Sequence, residues 1–248
     1  MSDANRDKTI VITGGSRGLG AGMAVELHQM GYRVATCARS QAQLADDGDR
    51  AMASEVDVTD HQAVVAFTDA VTKRFGTIDL WINNAGVLEP IKQLRDVTSD
   101  EFRKHIEINV IGVFHGTHSY VHHLHQRGAS GVLVNISSGA ARHGYSGWSA
   151  YCAGKAAVDL ITECVAIEEE AIGLRAHSVA PGIIDTGMQE LIRGTSVQDF
   201  PMVGKFLELK SNDAFSSAEF VAHRIAELAF DSAHRTDDVL VSLPSEKD

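Results

Sequence analysis

One stretch of the chain, Ser138-Gly-Ala-Ala-Arg-His-Gly-Tyr-Ser-Gly-Trp-Ser-Ala-Tyr151-Cys-Ala-Gly-Lys155, combines a serine, a tyrosine and a lysine at spacings suited to proton transfer. A free phenol titrates near pH ~10 and is a poor proton donor-acceptor at neutral pH. Lys155 follows Tyr151 by four residues, which on a helix stacks both on one face. An ammonium beside a phenol favours the phenolate and is expected to pull the tyrosine pKa toward working pH. Ser138, at the end of a buried strand, would hold a carbonyl oxygen beside the phenol. Such a set serves hydride transfer, provided a hydride source lies next to it.

A source is indicated near the N-terminus, where a short apolar run is followed by Thr13-Gly14-Gly15-Ser16-Arg17-Gly18-Leu19-Gly20. Glycines here allow a sharp turn and let the backbone approach a pyrophosphate at the start of the next helix. The spacing is G-x-x-x-G-x-G rather than the general G-x-G-x-x-G dinucleotide fingerprint. Binding of NAD usually employs an acid at the tip of the second strand. That strand instead ends Thr36-Cys37-Ala38-Arg39-Ser40, without one. Arg39 and Arg17 offer guanidinium groups for a ribose 2′-phosphate, so the expected cofactor is NADP(H). Asp57 and Val58, after the third strand, are placed to meet the adenine.

The elements that must position these residues read as an alternation of strands and helices, the pattern of a parallel sheet covered on both faces. The sequence predicts strands at Thr9–Thr13, Arg33–Ala38, Met52–Val56, Leu80–Asn83, Val132–Ser137, Arg175–Val179 and Val239–Ser242. Helices are predicted from the Gly18–Gly20 turn, over Asp60–Phe75, Ser99–Gln126, Ser149–Ala171 and Ser217–Phe230. Capping boxes stand at Thr98-Ser-Asp-Glu101 and Ser216-Ser-Ala-Glu219. Gly31, Gly76 and Gly173 fit helix C-termini. The expected fold is a doubly wound (Rossmann) α/β sheet of about seven strands, order 3-2-1-4-5-6-7, in one domain spanning residues 1–248.

Composition narrows the class. With 248 residues, 44% apolar and 22% charged, the chain suits one well-buried α/β domain. A net charge of -11 argues against nucleic acid or an anionic membrane as partner. Cys37, Cys152 and Cys164 form an odd set without C-x-x-C spacing, as expected of reduced thiols in the cytoplasm. The polar N-terminus is too short for a signal peptide, and no apolar run is long enough for a membrane span.

Taken together, these residues resemble the short-chain dehydrogenase/reductase family along essentially the whole chain. Its landmarks appear as Thr13–Gly20, Asn-Asn-Ala-Gly at Asn83–Gly86, Asn109, Asn-Ile-Ser-Ser at Asn135–Ser138, Tyr151–Lys155 and Pro-Gly-Ile-Ile-Asp-Thr at Pro181–Thr186. The resemblance implies Tyr151 as general acid in reduction, and Lys155 on the nicotinamide ribose and the phenol. It implies Ser138 on the carbonyl, and Asn109 holding a water that links Lys155 to solvent. Asn84, Ala85 and Gly86 would line the adenosine ribose. Gly14, Ser16, Gly18, Leu19 and Gly20 would cradle the phosphates. Pro181, Gly182, Ile184 and Thr186 would fix the carboxamide.

The segments Gly147–Ala157 and Pro181–Ser196, with Glu208–Lys210, are similar to those of sepiapterin reductases and bacterial benzil reductases. Asp185-Thr-Gly187-Met188 replaces the D-T-D-M of the sepiapterin enzymes, and their C-terminal pterin-anchoring aspartate has no counterpart in Val239–Asp248. A hydrophobic ketone or diketone is therefore expected. The stretch from about 183 to 215 reads as a substrate lid, with Trp148, Met188, Phe200 and Phe206 as substrate contacts. The alternatives are an NAD(P)-linked alcohol dehydrogenase working oxidatively and a dinucleotide sensor without catalysis.

Two further groups lie near these residues. His115, His118, His122, His123 and His125 crowd one helix; they read as solvated or interface residues rather than a metal site, since no cysteine or carboxylate completes a ligand set. Arg142 and His143 border the expected pocket or face solvent in equal measure. A homodimer or homotetramer is expected.

Overall fold

The computed structural model of the chain describes residues 7–212 and 214–247, so Asp213 of the lid stretch and Asp248 of the last segment lie outside it. Seven parallel strands form one sheet: β1 (Thr9–Thr13), β2 (Arg33–Ala38), β3 (Ala51–Glu55), β4 (Leu80–Asn83), β5 (Val132–Ile136), β6 (Arg175–Ala180) and β7 (Leu240–Ser242). Their order is β3-β2-β1-β4-β5-β6-β7, the doubly wound order the sequence predicts. The crossover between β1 and β4 puts the ends of those two strands side by side, where such sheets bind ligands.

Strand residues alternate between two apolar layers. Ile10 and Ile12 pack with Met23 and Leu27 of α1 (Gly18–Gln29) and with Val221 and Ile225 of α8 (Ala218–Phe230). Val11 faces the opposite layer, with Phe67 and Val71 of α2 (His61–Phe75) and with Tyr120 and Leu124 of α4 (Gly112–Arg127). Burial on both faces explains why Ile10, Val11 and Ile12 in the middle of β1 are all apolar.

Some boundaries differ from the sequence reading. The helix predicted over Ser99–Gln126 is broken into α3 (Ser99–Ile106), a π-turn (Glu107–Ile111) and α4. The helix predicted to reach Ala171 ends earlier, as α5 (Ser149–Glu168), with a short 3-10 turn after it. Thr98 forms the predicted capping box with Glu101. At α8 the cap moves one residue: Ser217 caps by accepting from Phe220 N, while Ser216 Oγ accepts from Glu246 N instead. Asp60 caps α2, its side chain accepting from Ala63 N.

The 183–215 stretch folds into α6 (Gly187–Arg193) and α7 (Val203–Ser211). These helices enclose a small apolar cluster of Leu88, Ala140, Trp148, Ile192, Phe200, Val203 and Phe206. Among the described residues no helix is long and apolar enough to cross a membrane.

Candidate active site

The glycine turn is held from below and from the side. Gly14 N and Gly15 N both donate to Cys37 O, at 2.7 and 3.2 Å, binding the turn to the end of β2. Thr13 Oγ1 accepts from the backbone N–H of Asn84 and of Ala85, and Asn84 Nδ2 donates to Thr13 O at 3.0 Å. The turn and the end of β4 are thus one hydrogen-bonded unit. Gly14 has φ +78°, the left-handed region that favours glycine. Gly20 is needed for room: a Cβ there would lie 2.2 Å from Asn84 Nδ2 and 2.5 Å from Gly14 O.

Arg17 precedes α1 without a side-chain cap, so its side chain does not occupy the first-turn N–H groups of that helix. The side chains of Arg17 and Arg39 are exposed, and neither forms an ion pair among the described residues. Asp57 Oδ1 accepts from Thr59 N and Thr59 Oγ1, and buried Val58 offers its carbonyl to His115 Nδ1.

The proton-transfer residues come together where α5 begins. The Ser138 side chain, which accepts from Ala140 N, lies near enough to the Tyr151 phenol to favour its ionised form, and Lys155 Nζ lies 5.7 Å from the centre of the Tyr151 ring. Lys155 is buried and donates to Ile136 O at 2.7 Å. Burial lowers its pKa to about 8, against the opposing charge of Asp159 one turn on. The phenol departs from expectation. Burial pushes its pKa up, and the Ser138 side chain only partly offsets this. Desolvation of the phenolate outweighs a lysine whose ammonium is itself weakened by burial.

Asn109 sits in the π-turn with its side chain fully engaged. Its Oδ1 accepts from Val87 N at 2.9 Å and its Nδ2 donates to Val87 O at 2.8 Å. The amide therefore clips the helix to the segment that follows β4, and the extra residue of the π-turn accommodates that capture.

The four expected substrate contacts do not share one environment. Trp148 and Phe200 stack with centroids 4.6 Å apart, and Phe206 lies 5.6 Å from both. Phe200 is 0% exposed, so in this arrangement it packs the lid rather than meeting a ligand. Trp148 and Phe206 are nearly as buried, while Met188 keeps some exposure at the edge of the cluster. Arg142 and His143 face solvent.

Two clefts flank this centre. One, about 480 Å³, is lined by Glu89, Ile91, Gly187, Glu190, Leu191 and Thr195, between the segment after β4 and α6. The other, about 440 Å³, includes Gly18, Ile184, Thr186, Ser216 and Glu246. Gly18 and Thr186 approach closely there, so the helix start and the Pro181–Thr186 segment share a wall.

The family model described as short chain dehydrogenase matches residues 8–196. The chain belongs to that family. A benzil reductase ((S)-benzoin forming) of Bacillus cereus is 32% identical over 231 residues, covering 88% of this chain and 92% of that one. A cis-4-hydroxycyclohexanecarboxylate dehydrogenase of Sinomonas cyclohexanicum is 34% identical over 244 residues, covering 94% and 93%. The crystal structure of levodione reductase superposes with a TM-score of 0.84 at 29% identity, covering 96% of each chain.

This short-chain dehydrogenase also carries polar residues that the sequence did not single out. Asp159 is buried and accepts from Ser137 Oγ at 2.5 Å and Ser178 Oγ at 2.6 Å, bracing the ends of β5 and β6 against α5. Its position one helical turn after Lys155 was the available signal. His105, His123 and His177 are buried as well, and burial holds all three below the ordinary histidine pKa. Unlike the solvated residue expected, His123 bonds Thr72 and accepts from Ile78 N. Among the described residues no group of three or more histidine, cysteine or acidic side chains is arranged to hold a metal ion.

Proposed function

We propose that this short-chain dehydrogenase reduces the carbonyl of a hydrophobic ketone or diketone with NADPH. The observation that carries the reading is the Ser138–Tyr151–Lys155 grouping, with the serine beside the phenol and the buried lysine one turn below. The residues present fit a dinucleotide: α1 starts without a side-chain cap, and glycines at 14, 15 and 20 let the turn fold tightly against Thr36, Asn84 and Ala85, so that backbone rather than side chains faces the helix start. Unpaired Arg17 and Arg39, with no acid at the tip of β2, support the 2′-phosphorylated form.

The nicotinamide supplies the hydride when the dinucleotide is bound. Ser138 holds the substrate oxygen beside Tyr151. A phenol whose pKa is raised stays protonated at neutral pH, which is the form needed to give a proton to a developing alkoxide. Lys155, with a pKa of about 8, is largely charged at that pH and holds positive charge near the phenol and the ribose hydroxyls. Asn109, its side chain engaged by Val87 and His105, keeps a water between Lys155 and solvent through its backbone. Ile184 and Thr186 hold the carboxamide end, and residues 183–215 act as a lid of one domain spanning residues 1–248.

The relative named for benzil reduction supports an aromatic diketone, and the apolar lid supports the same class. Exposed Phe114 on α4, with Leu160 and Ile167 on α5, supports a homo-oligomer assembled through those helices, and the three free cysteines support a cytoplasmic setting. An oxidative reading, on a cyclic secondary alcohol, has the support of the hydroxycyclohexanecarboxylate relative. Consumption of NADPH with benzil, isatin, sepiapterin and a 3-oxoacyl thioester separates these readings. Turnover of benzil or isatin is expected; NAD-dependent alcohol oxidation without NADPH-dependent reduction would replace the proposal by its rival.

A further inference from the structure

His105 lies in the last turn of α3 and is 1% exposed. Its Nδ1 is 2.7 Å from Glu89 O, and a carbonyl oxygen only accepts, so Nδ1 carries the hydrogen. Asn109 Nδ2 lies 2.7 Å from its Nε2 and 3.2 Å from its Nδ1, so the amide nitrogen rests over the ring rather than in line with either nitrogen. The Asn109 amide cannot be turned over to suit another tautomer, because its oxygen and nitrogen are already matched to Val87 N and Val87 O. The ring also meets Tyr151 edge to face, with centroids 6.2 Å apart at 81°. A Cβ on Gly154 would lie 3.2 Å from His105 Nε2, so α5 rests directly against the imidazole between Tyr151 and Lys155.

We infer that His105 is a positioning residue for the proposed reduction: by its hydrogen bond to Glu89 O and the packing of its ring against the Asn109 amide it fixes Asn109 and the segment after β4 against the helix that carries Tyr151 and Lys155. The inference rests on the reading of Tyr151 as proton donor. It goes beyond that reading in assigning a role to a side chain that touches neither substrate nor dinucleotide.

The arrangement works in one protonation state. A second proton would make the ring a cation directly beneath the Asn109 N–H, and moving that amide away would strain its two bonds to Val87. The groups that face the ring are Tyr151 and Lys155 from α5, Asn109 from the π-turn and the Glu89 backbone from the segment after β4. Burial holds the imidazole below its ordinary pKa; the Glu89 hydrogen bond opposes this and the Lys155 charge reinforces it. The working state is therefore retained at neutral pH and lost on the acid side of the ordinary value of ~6.5.

The test compares the unmodified enzyme with His105→Gln and His105→Leu. NADPH-dependent reduction of benzil is followed across pH, together with NADPH affinity and thermal unfolding. Glutamine keeps one donor and one acceptor but does not titrate. It should retain kcat at neutral pH and lose an acid limb that the unmodified enzyme shows below pH ~6.5. Leucine should lower kcat by about tenfold or more, the scale of a lost buried hydrogen bond, with NADPH affinity unchanged. If the leucine variant fails to fold, the glutamine pH profile still decides. Nitrogen NMR of the ring, assigned by difference with the glutamine variant, reads the tautomer without reference to turnover.

Coincident pH profiles for enzyme and glutamine variant, an inactive but folded glutamine variant, or a ring bearing its hydrogen on Nε2 would each overturn the inference. Full activity of Tyr151→Phe would overturn the proton-donor reading while leaving the NMR result intact, so the two failures are distinguishable.

Discussion

The two ends of the site are built from different interactions. At the dinucleotide end, the Gly14–Gly20 turn is held by backbone bonds to Cys37 O and by the Thr13 and Asn84 side chains. At the substrate end, α6 and α7 are held by an aromatic cluster centred on Phe200 and by ion pairs from Asp185 to Arg193 and Lys210. The ion pairs are partly exposed and of a kind worth little, so the aromatic contacts dominate there. A hydrogen-bonded turn has one geometry, whereas stacked rings can part and repack. The contrast suits a fixed cofactor seat beside a lid that adapts to its substrate.

Mutations at each end should separate the two. The largest effect is expected of Phe200→Ala, since emptying a fully buried phenylalanine site costs about 3–5 kcal/mol. Denaturant unfolding should show that loss, and the ketone KM should rise while NADPH affinity holds. An unchanged midpoint would mean that the cluster does not hold the lid. Gly20→Ala comes next, at about 1–3 kcal/mol of overpacking against Asn84 and Gly14. Its expected signature is the reverse, weaker NADPH binding with the ketone KM preserved. Smaller still is Arg39→Asp, which removes charged hydrogen bonds worth about 1.5–3 kcal/mol and so shifts the NADPH-to-NADH preference by about ten- to a hundredfold. Stability should not change, because Arg39 is exposed. A preference that already favours NADH in the unmodified protein would contradict the role given to Arg39.

The same division marks how far the sequence could be read. β1, β2 and β4 fall at their predicted bounds because continuous apolar runs identify strands buried on both faces. The glycine turn was legible for a related reason: local spacing encodes a local geometry. The π-turn was not, because it depends on Asn109 reaching Val87, a contact between segments 22 residues apart. Phe200 was recognisable as apolar, yet its full burial against Trp148 follows from how α6 and α7 fold back. His105 looked like an ordinary helical residue; only the neighbouring Glu89 carbonyl and Asn109 amide show what it does.

The central claim is that Tyr151 gives the proton that completes carbonyl reduction. It is tested most directly by Tyr151→Phe, comparing NADPH affinity with the rate of NADPH oxidation in the presence of benzil. A general acid contributes about 10²–10⁴-fold, so turnover should fall by that factor while NADPH still binds. Turnover at the unmodified rate would contradict the account.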